Sequence, residues 1–295
     1  MRVLVTGTNG FIGGYVVKCL LDAGIQVLAS SRGKDELPFA GMPGYTHISA
    51  ELTDGFDIHD LFDRAKPDVV VHCAAMSKPD ECEQNQALAY GVNVGATVQL
   101  LLHAADYKSH FIHLSTDFIF DGEEAGMYTE EAAPNPVNYY GSTKLEAEEA
   151  VREYEHDWAI VRTVFVYGKP LGKRGSFITL IADKLHNQHP FRVVNDQLRT
   201  PVHVTDLAKG ILSIIGKRAK GVYNLGGPEL LTPYEMAMQI AAHLGCEQHQ
   251  LTPVTCQDFI EPAKRPLKTG LDISKAARDL GYQPMPFKEG LIRSL

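Results

Sequence analysis

Short apolar runs rich in β-branched residues alternate with longer segments whose apolar positions recur every three or four residues over the first two-thirds of the chain. The runs RVLVT (2–6), IQVLAS (25–30), YTHIS (45–49), DVVVHCA (68–74), FIHLST (111–116) and WAIVRT (158–163) are apolar on both faces, as the buried strands of a parallel sheet must be. Segments 12–23, 56–65, 83–106 and 141–154 carry the helical period between them, so the connections are expected to be right-handed βαβ crossovers. The pattern predicts an α/β fold, a doubly wound parallel sheet of Rossmann type.

After residue 168 the texture changes. GKPLGKRGS (168–176) is a glycine-rich, basic loop, followed by a helix expected near 175–187 and a short strand, FRVV (191–194). TPYE (232–235) is a capping box with proline at the first helical position and opens a helix over 233–244; another helix is expected from Asp272. The expected division is a dinucleotide-binding domain over 1–168 and a smaller substrate-binding lobe over 169–295, with part of 191–225 packing back on the first domain. A ligand cleft belongs at the carboxyl ends of the strands.

The 295 residues are 44% hydrophobic and carry a formal charge of -8 with no basic run, which argues against nucleic acid or an anionic membrane as partner. Five scattered cysteines without CxxC spacing suit a reducing compartment, and the cytoplasm is the expected one. Glycine arrives by residue 7, too early for a signal peptide core, and no apolar run approaches a membrane span. The twelve histidines show no metal-ligand spacing, so no catalytic metal is expected and surface positions are.

The first strand runs into TGTNGFIGG, with Gly7, Gly10 and Gly13 at three-residue intervals and a helix starting inside the loop. Such a turn lets a helix N-terminus hold a pyrophosphate. At the end of the second strand an acidic residue would select NAD by bonding the adenosine 2′-hydroxyl. Here Ser30, Ser31 and Arg32 stand with no carboxylate before Asp35, which favours a 2′-phosphate and therefore NADP.

Two tyrosines precede a lysine in NYYGSTKLEAEEA (138–150). Side chains four apart share a helix face, so Tyr140 and Lys144 can converge while Tyr139 turns away. A phenol is a poor acid–base group until a cation stabilises its anion, and Lys144 is the candidate cation. The strand that ends in Ser115 and Thr116 offers a hydroxyl for a substrate carbonyl.

Together TGTNGFIGG, HCAA (72–75), NVGAT (93–97), STDFIFDG (115–122) and YYGSTK resemble the extended short-chain dehydrogenase/reductase superfamily along nearly the whole chain. Within it, STDFIFDG, VRTVFVYG (161–168), DQLRTPVHVTDLA and RPLKTGLD are most similar to dTDP-4-dehydrorhamnose reductases. The resemblance implies NADPH-dependent reduction of the 4-keto group of a deoxysugar nucleotide, in dTDP-rhamnose biosynthesis. It implies carbonyl polarisation by Thr116, proton donation by Tyr140, and ribose binding with pKa lowering by Lys144. It places NADP(H), with NAD(H) as the lesser option, against Gly7, Asn9, Gly10, Phe11, Ile12, Gly13, Ser31, Arg32, Leu52, Ala74, Ala75, Tyr140 and Lys144. On the substrate side it implies Phe165, Arg199 and Arg265; Ser77, just past the fourth strand, is either a sugar or nicotinamide contact or part of an acid-rich helix N-terminus, and Asp117 either holds its loop, the favoured reading, or bonds a sugar hydroxyl.

Family members commonly carry tryptophan where this chain has Phe165, which loosens the assignment of the sugar. Two alternatives stand beside the reductase: an epimerase or dehydratase of the same superfamily, and a non-catalytic NADP-binding subunit similar to the regulatory subunit of methionine adenosyltransferase. The sugar, the base and the product stereochemistry stay open, and a homodimer is neither required nor excluded.

Overall fold

The computed structural model describes residues 1–172 and 176–295; the middle of the basic loop at 168–176 lies outside the described residues. Along the chain the elements are β1 (Arg2–Thr6), α1 (Phe11–Asp22), β2 (Gln26–Ser31), β3 (Tyr45–Ser49), α2 (Gly55–Ala65), β4 (Val69–His72), α3 (Pro79–Gln84), α4 (Gln86–Tyr90), α5 (Ala96–Asp106), β5 (His110–Thr116), α6 (Tyr139–Arg152), β6 (Trp158–Thr163) and β7 (Val166–Tyr167). They continue as α7 (Phe177–His186), β8 (Phe191–Val194), β9 (Val202–His203), α8 (Val204–Lys217), β10 (Gly221–Leu225), α9 (Pro233–Leu244), β11 (Leu251–Val254), α10 (Ser274–Leu280) and α11 (Phe287–Ser294).

Among the described residues the main sheet has seven strands in the order β10-β6-β5-β4-β1-β2-β3. Every pairing in it is parallel. One face is covered through a core that includes Val5, Val16, Leu20, Leu207, Ile211 and Leu280, the other through Ile58, Leu61, Leu100, Phe111 and Val151. The chain winds outward from β1 through β2 to β3, then returns to lay β4 on the other side of β1, so the switch point lies between β1 and β4.

A second core, including Tyr167, Ile178, Ile181, Met236, Ile240 and Phe287, holds α7, α9 and α11 together with the two-stranded sheet of β8 and β11. The strand β10 was not expected. GVYNL lacks a β-branched run and carries Asn224, whose side chain donates to the carbonyls of Tyr128 and Asp272 from inside the fold. Residues 202–225 therefore return to the main sheet, with α8 packed on α1 and β10 on β6.

The helix expected over 83–106 is interrupted. Asn85 adopts φ −131 ψ 60 between α3 and α4, and Gly91–Gly95 forms a π-helical turn before α5. By length and composition alone the 21 residues Gln86–Asp106 would suffice to cross a membrane, a test that a buried core helix also passes. Here that stretch packs against α2 and α6. The helix expected from Asp272 begins two residues later, at Ser274.

Candidate active site

At the end of β1 the chain turns through Gly7 at φ +72, a region that favours glycine. The same residue meets the end of β4, because a Cβ on Gly7 would lie 2.6 Å from the Ala74 nitrogen. The switch point is thus closed by backbone against backbone, which puts Ala74 and Ala75 beside the glycine loop. Helix α1 starts behind Gly10 with no side-chain cap and no acidic residue in its first turn. Its leading N–H groups need acceptors, and a helix N-terminus without its own carboxylate favours an anion. The Gly10 N–H is already given to the Gly7 carbonyl at 2.9 Å, so the donor set that fits a dinucleotide pyrophosphate is Phe11, Ile12 and Gly13.

Around this loop, Asn9 donates to the Lys34 carbonyl at 2.9 Å and accepts from the Glu36 nitrogen at 3.1 Å, tying the glycine loop to the segment after β2. Ser31 shares a 2.9 Å hydrogen bond with His47. Arg32 is largely exposed, its side chain 74% accessible, and lies 3.6 Å from Glu51. Glu51 follows β3 and is a carboxylate near Arg32 that inspection of the second strand alone does not reveal. Leu52, half-buried, packs at the edge of the second-face core.

Across the switch point, the 3-10 turn Asp117–Ile119 follows β5, and α6 rises directly behind it. Asn138 caps α6 by accepting from the Gly141 nitrogen at 2.9 Å. A Cβ at Gly141 would overlap the Phe118 carbonyl oxygen, so glycine there lets the helix press onto the turn. That approach brings the buried Tyr140, 9% exposed, beside Thr116. Burial raises the Tyr140 phenol above its ordinary value, a hydrogen bond with Thr116 works the other way, and the charge of Asp117 raises it further.

The ammonium–phenol pairing expected between Lys144 and Tyr140 is not the arrangement found. Lys144 Nζ lies 2.9 Å from His113 Nε2, and its charge is not among those acting on the phenol. Burial brings the Lys144 ammonium down to about 8, opposed by the charges of Glu148 and Cys73.

Ser115 and Thr116, undivided in sequence, separate in the fold. Ser115 gives its hydroxyl to Glu148 at 2.6 Å, inside a buried network in which Arg162 donates to both Glu148 oxygens at 3.0 and 2.8 Å. Thr116 donates to Asp117 Oδ1 at 3.2 Å and accepts from the Phe118 nitrogen. Asn93, in the π-helical turn, bonds both polar backbone groups of Met76 and the Thr143 hydroxyl, stapling the β4 exit to α6.

On the substrate side, the expected residues are occupied by one another. Asp117 is buried, takes the Thr269 hydroxyl and pairs with Arg199 Nε at 3.4 Å. Burial pushes its carboxyl up despite those partners. Arg199, 4% exposed, also donates to the carbonyls of Leu198, Pro266 and Leu267. Expected near the nucleotide-sugar site, Arg199 serves in the structure as an internal brace between 198 and 267.

Arg265 holds Asp80 through two bonds of 2.9 and 2.8 Å, and that hydrogen bonding keeps the Asp80 carboxyl below its usual range. Ala263 donates to Asp80 as well, and Asn138 donates to the Lys264 carbonyl, so segment 263–269 straps α3, the start of α6 and the turn after β5. Ser77 stands exposed just past β4. Phe165 adopts φ +41 and packs edge-on against Phe177 at 5.1 Å between centroids. Histidines were expected on surfaces, yet His72, His110, His113 and His203 are buried.

A glycine-turn switch point with a buried Thr, Tyr and Lys at its carboxyl edge defines an α/β protein of the extended short-chain dehydrogenase/reductase type. The RmlD substrate binding domain family matches residues 1–295, and the chain belongs to that family. It is 34% identical over 301 residues to methionine adenosyltransferase 2 subunit beta of Mus musculus, covering 100% of this chain and 87% of that one. It is 31% identical over 297 residues to a probable low-salt glycan biosynthesis reductase of Haloferax volcanii, covering 99% and 96%. A solved dTDP-4-dehydrorhamnose reductase of Bacillus anthracis in complex with NADP superposes with a TM-score of 0.84 at 25% identity, covering 99% of this chain and 98% of that one.

Proposed function

We propose that the protein is an NADPH-dependent reductase of a 4-keto deoxysugar nucleotide, similar to dTDP-4-dehydrorhamnose reductase. The observation that carries this reading is Tyr140 beside Thr116 at the carboxyl end of β5, with Lys144 one turn along the same helix. The residues that would hold the dinucleotide are Gly7, Gly10 to Gly13, Ser31, Arg32, Leu52, Ala74 and Ala75, with Lys144 toward its ribose. When bound, NADPH supplies hydride to the substrate carbonyl carbon.

Thr116 turns its hydroxyl from Asp117 to the carbonyl oxygen and polarises it. Tyr140 then gives its phenolic proton to that oxygen as negative charge develops there. A buried phenol held neutral keeps this proton available. Asp117, fixed by Arg199 and Thr269, orients Thr116. Ser77 and Phe165 remain candidate sugar contacts, whereas Arg199 and Arg265 act by bracing the wall of the cleft. In this reading residues 1–168 with 202–225 carry the cofactor and the remainder carries the substrate.

A second reading, a non-catalytic NADP-binding subunit, is favoured by the match to the mouse subunit beta and by rim residues that bind each other. Incubation with NADPH and a panel of 4-keto sugar nucleotides separates the two. Stoichiometric NADPH oxidation supports the reductase; cofactor binding without turnover supports the subunit; sugar conversion without net oxidation points to an epimerase or dehydratase.

A further inference from the structure

An ammonium removed from water needs hydrogen-bond acceptors, and Lys144 is only 2% exposed. Its acceptor among the described side chains is Nε2 of His113, at 2.9 Å. That ring sits fully buried in the middle of β5, 5.4 Å between centroids from His72. His72 has both nitrogens engaged, with Thr6 Oγ1 at 2.7 Å and Thr97 Oγ1 at 3.1 Å. A lysine ammonium only donates, so Nε2 of His113 must present its lone pair and the ring hydrogen must lie on Nδ1. Nδ1 of His113 is buried without a hydrogen-bond partner, which leaves the ring a single polar task.

We infer that His113 is a positioning residue that, as a neutral ring protonated on Nδ1, accepts one hydrogen of the Lys144 ammonium and aims the other two into the cofactor cleft. The inference rests on the reading of Lys144 as a cofactor contact.

The groups facing this pair come from each element around it. Glu148 on α6 and Cys73 at the end of β4 act on Lys144, and His72 acts on His113 together with Lys144. Glu148 is already committed to Arg162, Arg152 and Ser115, and the two rings are held neutral by burial. With Lys144 brought down to about 8, loss of its acceptor moves the neutral amine into the working range.

The test is NADPH affinity against pH, by fluorescence titration, for the parent, His113→Gln, His113→Leu and each change in a Lys144→Met background. Glutamine offers an amide oxygen near the position of Nε2 and is expected to keep the parent profile. Leucine is expected to weaken NADPH about tenfold near pH 8, with the alkaline fall beginning about one pH unit lower. In the Lys144→Met background the leucine change is expected to do nothing further. A parent-like profile for His113→Leu, equal harm from Gln and Leu, or an undiminished effect without Lys144 overturns the inference.

If His113→Leu does not fold, nitrogen-15 NMR of the unsubstituted protein decides. A proton on Nδ1 whose signals move on Lys144→Met supports the assignment, and a proton on Nε2 sinks it. None of these readouts needs turnover. A protein that oxidises no NADPH yet shows the shifted binding profile loses the reductase reading and keeps the His113 role.

Discussion

The glycine loop and the strap of residues 263–269, the proposed substrate rim, are fixed by different means. At Gly7 and Gly141 the chain is held by the closeness of backbones, with no room for a Cβ against Ala74 or Phe118. At the rim the chain is held by charged side chains from distant segments, Asp117 with Arg199 and Thr269, and Asp80 with Arg265. Backbone closeness leaves a mark in a short stretch of sequence, since only glycine tolerates it. Pairing of distant charges leaves none, since an arginine that will brace a loop looks like one that will bind a phosphate.

The largest expected effect tests whether the two sides meet at the right tyrosine. Tyr140→Phe should lower kcat by about two to four orders of magnitude while changing NADPH affinity little, and Tyr139→Phe should stay near the parent. Steady-state kinetics beside cofactor titration checks this; an inactive Tyr139→Phe with an active Tyr140→Phe would reverse the assignment.

The next two contrast the means of construction. Glu148→Ala strips the buried Arg162 of its carboxylate and is expected to cost about 3–5 kcal/mol of stability, read as the shift in urea midpoint. Gly7→Ala forces a Cβ into positive φ against Ala74 and is expected to cost about 1–3 kcal/mol, with a marked loss of NADPH binding. If Gly7→Ala binds NADPH like the parent, the closed switch point is not what shapes the phosphate loop.

What could be foreseen follows the same division. Strands β1, β2, β4, β5 and β6 were legible because burial on both faces forces apolar, β-branched runs, whereas β3 lies at the sheet edge with only Ile48 buried, and the phosphate loop was legible because glycine marks a close approach. Strand β10 was hidden by Asn224, a polar residue satisfied only by partners on other segments. Helix 83–106 was drawn too long because a π-helical turn keeps the apolar spacing nearly intact. The position of Lys144 on α6 was legible, but the direction of its ammonium was not, since His113 lies on another element. Arg199 and Arg265 were legible as important cations and not as occupied ones.

Buried histidines on the sheet side give a pH dependence with a definite sign. His72 is held neutral by burial, its ordinary 6.5 lowered to about 3, and the charge of Lys144 adds to the effect. The unfolded chain therefore takes up a proton that the folded chain refuses. Stability from this group is fully present above pH 6.5 and is lost as pH falls toward about 3, by about 2 kcal/mol at pH 5. Urea midpoints at pH 7.5 and 5 should differ in that direction, and the difference should shrink in His72→Gln. A midpoint unchanged between those two pH values would show that the ring is not kept neutral.

The smallest expected effect falls at Arg32, where the cofactor side borrows the method of the rim. Its side chain is exposed and its partner Glu51 lies 3.6 Å away, so the pair contributes on the order of 0–1 kcal/mol and is easily exchanged for a better anion. A 2′-phosphate offers two negative charges and several acceptors to the same guanidinium, whereas a 2′-hydroxyl offers neither. Arg32→Ala is accordingly expected to weaken NADPH about tenfold, equivalent to about 1.4 kcal/mol, while leaving NADH within about twofold. Glu51→Gln should shift the ratio slightly the other way by freeing the arginine. Added salt should narrow the difference between the cofactors, because an exposed charge contact is screened. Parallel weakening of both cofactors by Arg32→Ala would instead make the arginine a prop for the loop after β2, and cofactor choice would then have to come from the backbone around Ser31.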